Sequence, residues 1–198
     1  MATNYTIVGL GNPGEEYVET RHNMGRMVLD AFVKKNDCVD WKEDKKLKSL
    51  VSIGKVGKNK AVLIKPETFM NKSGLSLKSL IASKKKAGDL VVIYDDLDLP
   101  IGKLKISFNR GTGGHRGLES VAKQIKTLEF VRFRVGISPK TPSGKTKKPS
   151  GEQAVEKHIL GAFKDPEMLE LKKIGKHATE ALEVFVEEGR EMAMTRFN

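Results

Sequence analysis

The chain has 198 residues, a length that suits one domain, and we expect residues 1–198 to form that single domain. Its 36 lysine and arginine residues outnumber 25 aspartate and glutamate residues, and the formal net charge of +11 favours a polyanionic partner such as nucleic acid. The composition excludes an internal disulfide, because Cys38 is the only cysteine, and it excludes a membrane span, which needs roughly 18 consecutive apolar residues. With no signal-peptide pattern at the N-terminus either, we expect a cytoplasmic protein.

Apolar runs of strand length alternate with stretches of helical spacing, which is the pattern of an α/β protein. In chain order, the pattern predicts a strand at 6–10, a helix at 24–35, a hairpin at 50–53 and 61–64, a helix at 75–82, strands at 90–94 and 103–108, a helix at 117–125, a strand at 131–135 and a long helix at 168–185. Residues 138–151 are rich in proline, glycine and lysine and are predicted to form a mobile loop.

A glycine motif follows the first predicted strand. Gly9, Gly11 and Gly14 fit the spacing G-x-G-x-x-G of dinucleotide-binding proteins. In such proteins a helix begins at the third glycine and binds the diphosphate at its N-terminus. Here Pro13 precedes that glycine, the helical pattern begins only later, and Glu15 after the glycine would repel a diphosphate. A plain turn is favoured, and a nicotinamide-dependent enzyme stays a distant alternative. No closely spaced histidine pair or G-x-S-x-G motif is present, so we expect no zinc site and no serine nucleophile.

Polar side chains follow the ends of three predicted strands. Asn12, Asn71 and Asp95 occupy these positions, and His22 lies at the start of the first helix. If the strands are parallel, their carboxyl ends meet at one edge of the sheet. A histidine held by a carboxylate can act as a base on water, and asparagine amides can polarise a carbonyl. Together they suggest direct hydrolysis of an activated ester, although each residue taken alone could be a turn or cap residue.

Residues 111–117 contain four glycines and suggest a movable lid over the site, with a simple flexible loop as the alternative. Basic residues crowd around this segment and favour contacts with a phosphate backbone. They are Lys103, Lys105, Arg110, Arg116, Arg132 and Arg134.

Three blocks of the sequence resemble the bacterial-type peptidyl-tRNA hydrolases. The first comprises VGLGNPG at 8–14 and TRHNMG at 20–25, the second is KPETFMNKSG at 65–74, and the third runs from DDLDLP at 95–100 to GGH at 113–115. Shorter matches at 133–137, 159–163 and 193–198 extend the resemblance over nearly the whole chain.

The resemblance implies a monomer with a three-layer α/β/α sandwich around a mixed, mostly parallel sheet. It implies an esterase that cleaves the bond between a peptide and the 3′ end of tRNA, and so returns both to translation and supports ribosome rescue. The partner is then the acceptor end of peptidyl-tRNA, and no metal or cofactor is expected.

The resemblance also implies roles for individual residues. His22 would be the catalytic base and Asp95 its orienting partner, while Asn12 and Asn71 would bind the peptide and polarise the ester. Expected substrate contacts are Tyr17, Asn23, Met70, Gly113, Gly114, His115 and Arg116. Expected tRNA contacts are Lys103, Lys105, Arg110, Arg132 and Arg134. The glycine loop and the region of the C-terminal helix would gate the cleft.

The chain departs from the family pattern at two places. Arg116 stands where asparagine is common, and its guanidinium could hold a phosphate instead. Residues 138–139 are Ser-Pro and lead into an unusually lysine-rich stretch, so tRNA contacts there do not carry over. The family also has relatives that bind RNA without hydrolysing it, but the presence of His22 and Asp95 favours an enzyme.

Overall fold

A computed structural model describes residues 3–142 and 145–198, and in these residues seven strands form one sheet in the order β2-β3-β4-β1-β5-β7-β6. The strands are β1 (Asn4–Gly9), β2 (Lys42–Asp44), β3 (Ser49–Val56), β4 (Asn59–Pro66), β5 (Leu90–Pro100), β6 (Leu104–Phe108) and β7 (Val131–Ser138). The α-helices are α1 (Met24–Lys35), α2 (Lys84–Gly88), α3 (Arg116–Ile125), α4 (Glu152–Ile159), α5 (Asp165–Glu188) and α6 (Arg190–Phe197). Short 3₁₀ helices cover Glu15–Tyr17, Arg21–Asn23 and Met70–Leu77.

The sheet is mixed, with parallel strands at its centre. The pairs β1–β4, β1–β5 and β5–β7 are parallel, whereas β2–β3, β3–β4 and β6–β7 are antiparallel. The expected mixed, mostly parallel sheet is confirmed: only β3 and β6 run opposite to the other five strands, and the tight turn between β3 and β4 can join only antiparallel neighbours. Gly57, with φ of 57°, supplies the left-handed conformation in that turn.

The two faces of the sheet carry separate apolar cores, which makes three layers. Ile7 of β1 points into the core beneath α1, α5 and α6, where Phe32, Phe133 and Phe185 are the largest buried side chains. The next residue, Val8, points into the opposite core beneath α3 and the 3₁₀ helix Met70–Leu77. This alternation follows from the period of two along a strand, and it confirms the predicted α/β/α arrangement.

Most predicted elements are present. The helix at 24–35 and the hairpin are confirmed, and the predicted strands differ from the observed ones mainly at their ends. The helix expected at 75–82 is wrong: a 3₁₀ helix ends at Leu77, and α2 begins only after Ser83, whose hydroxyl accepts a hydrogen bond from Lys86 N. Within the proposed loop, residues 143 and 144 lie outside the described residues, and Lys140 and Thr146 form an isolated bridge.

The glycine motif after β1 serves close packing. A Cβ atom on Gly9 would collide with the backbone oxygen of Gly25 in α1, so glycine allows the helix to approach the strand. The helix α1 begins ten positions after Gly14, too far to direct its N-terminus at a diphosphate bound by the turn. Among the described helices, none is long and apolar enough to cross a membrane.

Candidate active site

A cleft of about 790 Å³ lies beyond the carboxyl ends of β1, β4 and β5. Asn12, His22, Asn71 and Asp95 all line it, so the predicted convergence of these side chains is confirmed. Their positions follow from the fold: β4, β1 and β5 are parallel neighbours, and Asn12 and Asn71 follow β1 and β4. Asp95 was expected after the end of its strand, but it lies within β5, two residues beyond Ile93, the last residue of β5 that pairs with β1. Tyr17 and Met70, expected as substrate contacts, line the same cleft.

His22 and Asp95 form a buried pair. His22 Nδ1 lies 3.0 Å from both carboxylate oxygens of Asp95, and the two residues are only 7% and 3% exposed. His22 belongs to the 3₁₀ helix Arg21–Asn23 directly before α1, and Asp95 lies in β5. Because Nδ1–H donates to the carboxylate, the lone pair of the neutral imidazole is on Nε2. That nitrogen can accept a proton.

The two groups shift each other's ionisation. Burial alone would lower the pKa of His22, but the charge of Asp95 and its hydrogen bond outweigh burial and raise it above 6.5. The positive charge of Arg116 opposes this rise. Burial alone would raise the pKa of Asp95, yet His22 and His115 hold it well below its usual range. The carboxylate therefore stays ionised while His22 titrates.

His115 is the third member of this cluster, and sequence reasoning had placed it among the substrate contacts. Its Nε2 lies 3.0 Å from Asp95 Oδ1, and its Nδ1 accepts hydrogen bonds from the backbone N–H groups of Gly117 and Leu118. Both ring nitrogens are thus bonded within the protein. The expected polar contact between His115 and the substrate is not supported by this geometry.

In the part of the chain that the structure describes, His22, Asp95 and His115 are the one group of three potential metal ligands, with ligand atoms within 4.8 Å of one another. The hydrogen bonds of His115 do not fit a metal. A metal on Nε2 of a neutral imidazole requires the proton to move to Nδ1, where the N–H groups of Gly117 and Leu118 already point. These three side chains are therefore arranged to hydrogen-bond to one another and not to coordinate a cation.

Asn12 is held from two sides. Asn23 bonds to its backbone twice: Asn12 N donates to Asn23 Oδ1 at 2.8 Å, and Asn23 Nδ2 donates to Asn12 O at 2.9 Å. The side-chain oxygen of Asn12 accepts from Met70 N at 2.8 Å, which leaves its NH₂ group for the cleft. The expected substrate contact of Asn23 was wrong, because the residue is only 2% exposed and does not line the cleft.

Arg21 is a residue whose role the sequence did not suggest. Its guanidinium donates to the carbonyls of Gly161 and Ala162 at 3.1 and 2.8 Å, just beyond α4, and to Glu167 Oε2 at 2.6 Å. It also packs over the ring of Phe163. Arg21 therefore fastens the segment that follows α4 next to His22. A usable signal was the position of this arginine directly before the histidine.

The far wall of the cleft is α4, not the long C-terminal helix. Val155, Ile159 and Leu160 line the cleft, whereas no described residue of α5 does. Opposite them, Gly113 and Gly114 have φ of 62° and 76°, a left-handed conformation that favours glycine. A Cβ on either would meet nothing within 4 Å, so this loop faces open space, and its role as a gate stays a prediction.

Two ion pairs link the parts of the chain that frame this cleft. Arg116 Nη2, at the start of α3, lies 3.0 Å from Glu152 Oε1 at the start of α4. Lys148 Nζ, just before α4, lies 2.6 Å from Asp98 Oδ1 in β5. All four residues line the cleft.

The predicted tRNA contacts lie in three kinds of place: inside the protein, in the cleft, and on the surface outside the cleft. Arg132 is fully buried, donates to the backbone oxygen of Arg110 and packs over Phe130, so its assignment as a tRNA contact was wrong. Arg134 lines the cleft and pairs with Asp96 at 2.7 Å. Lys103, Lys105 and Arg110 are exposed, and of these only Arg110 lines the cleft. The prediction failed at Arg132 because both faces of β7 are covered.

Comparisons with known proteins agree along the whole chain. The family model described as Peptidyl-tRNA hydrolase matches residues 6–198. A peptidyl-tRNA hydrolase of Caldanaerobacter subterraneus subsp. tengcongensis is 40% identical over 195 residues, which cover 98% of this chain and 99% of the relative. One from Syntrophotalea carbinolica is 36% identical over 193 residues, covering 97% of this chain and 95% of the relative.

The fold leads to the same relatives. The crystal structure of peptidyl-tRNA hydrolase from Acinetobacter baumannii matches with a TM-score of 0.86 at 29% identity, covering 98% of this chain and 94% of that one. A peptidyl-tRNA hydrolase in complex with N-propanol matches with a TM-score of 0.87 at 30% identity, with the same coverage of 98% and 94%. Because the sequence match and the structural match both run nearly from end to end, this chain belongs to the peptidyl-tRNA hydrolase family.

Proposed function

We propose that this family member cleaves the ester between a peptide and the 3′ end of tRNA, with a water molecule activated by His22. The observation that carries the proposal is the buried pair of His22 and Asp95, with 3.0 Å between ring nitrogen and carboxylate, in the wall of the cleft. In this role His22 is the base, and Asp95 fixes its tautomer and stabilises its protonated form.

The reaction needs one nucleophile and one proton carrier. Water attacks the ester carbonyl carbon while His22 Nε2 takes one of its protons, and the carbonyl electrons move to the oxygen. When this intermediate collapses, the bond to the ribose 3′ oxygen breaks and the proton on His22 passes to that oxygen. The products are a peptide acid and a tRNA with a free 3′ hydroxyl, and His22 is neutral again.

The two asparagines are the groups that would bind the carbonyl and the peptide main chain. Asn12 presents its NH₂ group, since its oxygen is already engaged by Met70 N at 2.8 Å. Asn71, the residue after Met70, is exposed in the same cleft. Neutral amides donate hydrogen bonds to a developing oxyanion without changing charge across the working pH range.

The rest of the cleft suits a substrate with an apolar and an anionic part. Tyr17, Phe69 and Met70 offer apolar surface for the peptide, and Phe69 is 59% exposed. Arg110 and Arg116 flank the glycine loop and would contact the phosphates of the tRNA end, while Lys103 and Lys105 extend the positive charge along β6. Gly113 and Gly114 allow the loop between the two arginines to approach the substrate backbone.

One chain supplies every side chain named for this site, and one continuous sheet carries them. Both facts support the view that the protein acts as a single-domain monomer. We place its work in translation in the cytoplasm, where peptidyl-tRNA is the substrate.

The test is peptide release from an N-acylated aminoacyl-tRNA by the wild type and by His22→Ala. We expect kcat to fall by about 100-fold to 10,000-fold in the variant, with tRNA affinity unchanged. A wild type that binds tRNA without turnover would identify an RNA-binding relative instead of an enzyme. Full activity of His22→Ala would show that another group activates the water.

A further inference from the structure

His115 joins the glycine loop to the catalytic pair through a fixed set of hydrogen bonds. It is the residue before α3, and its Nδ1 accepts from the N–H groups of Gly117 and Leu118 at 3.2 and 3.3 Å. An acceptor nitrogen carries no proton, so the proton of the neutral ring is on Nε2. This Nε2–H points at Asp95 Oδ1, 3.0 Å away.

Asp95 therefore accepts hydrogen bonds from two imidazoles, and the two rings differ in where they can take up a second proton. His22 can gain a second proton on Nε2 without losing its bond to Asp95. His115 can gain one only on Nδ1, where the new N–H would face the N–H groups of Gly117 and Leu118 and break the helix cap. The additional proton of the cluster belongs on His22 for this geometric reason.

From this asymmetry we infer that His115 is a positioning residue. Its Nε2–H always donates a hydrogen bond to Asp95 and holds that carboxylate in place, so that the proton taken up during catalysis goes to His22. The inference rests on the proposed role of His22 as the base. It assigns His115 no contact with the substrate: both of its ring nitrogens are engaged, and its ring packs between Tyr94 and His22 at centroid distances of 5.0 and 5.1 Å.

Ionisable groups face the cleft beside His22 from several elements. Asp95, Asp96 and Asp98 come from β5, Arg110, His115 and Arg116 from the glycine loop and the start of α3, Arg134 from β7, and Lys148, Glu152 and Glu156 from α4 and the residues before it. Of these, Asp95 is the anion that bonds to His22. The N–H of His115 partly neutralises the negative charge of Asp95. Without it, Asp95 stabilises protonated His22 more strongly, so the pKa of His22 rises.

Asparagine and alanine separate the two functions of His115. His115→Asn keeps a good helix cap, because asparagine accepts from the same backbone N–H groups, but its side chain is too short to reach Asp95 as well. His115→Ala loses both functions. We expect both variants to lose about 10-fold in kcat with KM unchanged, as for one lost hydrogen bond to a charged group. The midpoint of the pH profile of kcat should move to higher pH in both.

A purely structural role predicts a different pattern. His115→Asn would then regain wild-type kcat and an unshifted profile, and only His115→Ala would be impaired. That result would overturn the inference. The proposed function would still stand after that result. It is tested separately, and it fails if His22→Ala stays fully active.

The protonation itself can be observed by ¹⁵N NMR of the histidine rings, with the four histidines assigned by single variants. We expect the neutral ring of His115 to be the Nε2–H tautomer, with Nδ1 as an acceptor, and the neutral ring of His22 to be the Nδ1–H tautomer. A His115 whose neutral ring has its proton on Nδ1 would contradict the inference, whatever the kinetics.

Discussion

Arg116 and Glu152 form an ion pair between the first residue of α3 and the first residue of α4, with 3.0 Å between guanidinium and carboxylate. Both side chains are largely exposed, so the pair is weak enough for a substrate to break. A phosphate that enters the cleft can replace the carboxylate of Glu152 as the partner of Arg116. We expect this exchange to link substrate binding to the separation of the two helix ends.

Glu152→Gln should lower KM for peptidyl-tRNA, because Arg116 is then free to meet a phosphate. Arg116→Gln should raise KM and reduce the slope of log KM against log salt by about 0.7 to 0.9, the loss of one phosphate contact. Lys123→Gln removes an equal charge from the exposed far end of α3 and serves as the control. An equal change in slope for Lys123→Gln would show that only the net charge matters.

The pH dependence of kcat should report His22. Activity requires the neutral ring, so kcat rises as pH passes the pKa of His22, which lies above 6.5 because Asp95 outweighs burial. Asp95→Asn removes the anion that raises this pKa, so the midpoint should move to lower pH, with kcat about 100-fold or more below the wild type. Arg116→Gln removes a cation that lowers it, so the midpoint should move to higher pH. Shifts in one common direction would contradict this electrostatic account.

The amide of Asn12 can be tested with an isosteric change. Asn12→Asp keeps the oxygen that accepts from Met70 N but replaces the NH₂ group that faces the cleft. We expect kcat to fall by about 100-fold, the usual cost of one lost oxyanion donor, with little change in the urea midpoint of unfolding. Asn12→Ala should lower that midpoint as well, since Met70 N loses its partner. Equal kcat for Asn12→Asp and the wild type would exclude the donor role.

The anchor formed by Arg21 should be visible in stability. Arg21→Gln breaks the buried pair with Glu167 and leaves the carbonyls beyond α4 short of donors, so we expect a loss of about 3 kcal/mol in the free energy of unfolding. The exposed pair of Arg196 and Glu188 is the matched comparison: Arg196→Gln should cost less than about 1 kcal/mol in the same urea titration. Similar losses in both variants would mean that Arg21 is no special anchor.

Local pattern was sufficient for much of the fold. The spacing of Met24, Val28 and Phe32 predicted α1, and the two short apolar runs around a glycine turn predicted the hairpin. It failed at 75–82, where apolar spacing suggested a helix but a 3₁₀ helix and the cap at Ser83 divide the segment. It also did not predict α4, whose described residues contribute nothing fully buried and therefore carry no strong apolar stripe.

The sequence by itself determined which residues could do the chemistry: Asn12, Asn71 and Asp95 after the apolar runs of three predicted strands, with His22 beside them, and the motifs shared with one family. Only the tertiary structure decided what each polar atom bonds to. It assigned Asn23 to the backbone of Asn12, buried Arg132 in the sheet, and directed the second nitrogen of His115 to Asp95. Side-chain partners far apart in the chain depend on three-dimensional distance, which residue type and spacing do not encode. The basic residues that first suggested a nucleic acid also differ in position: some line the cleft, Lys103 and Lys105 are exposed outside it, and Arg132 packs inside the protein.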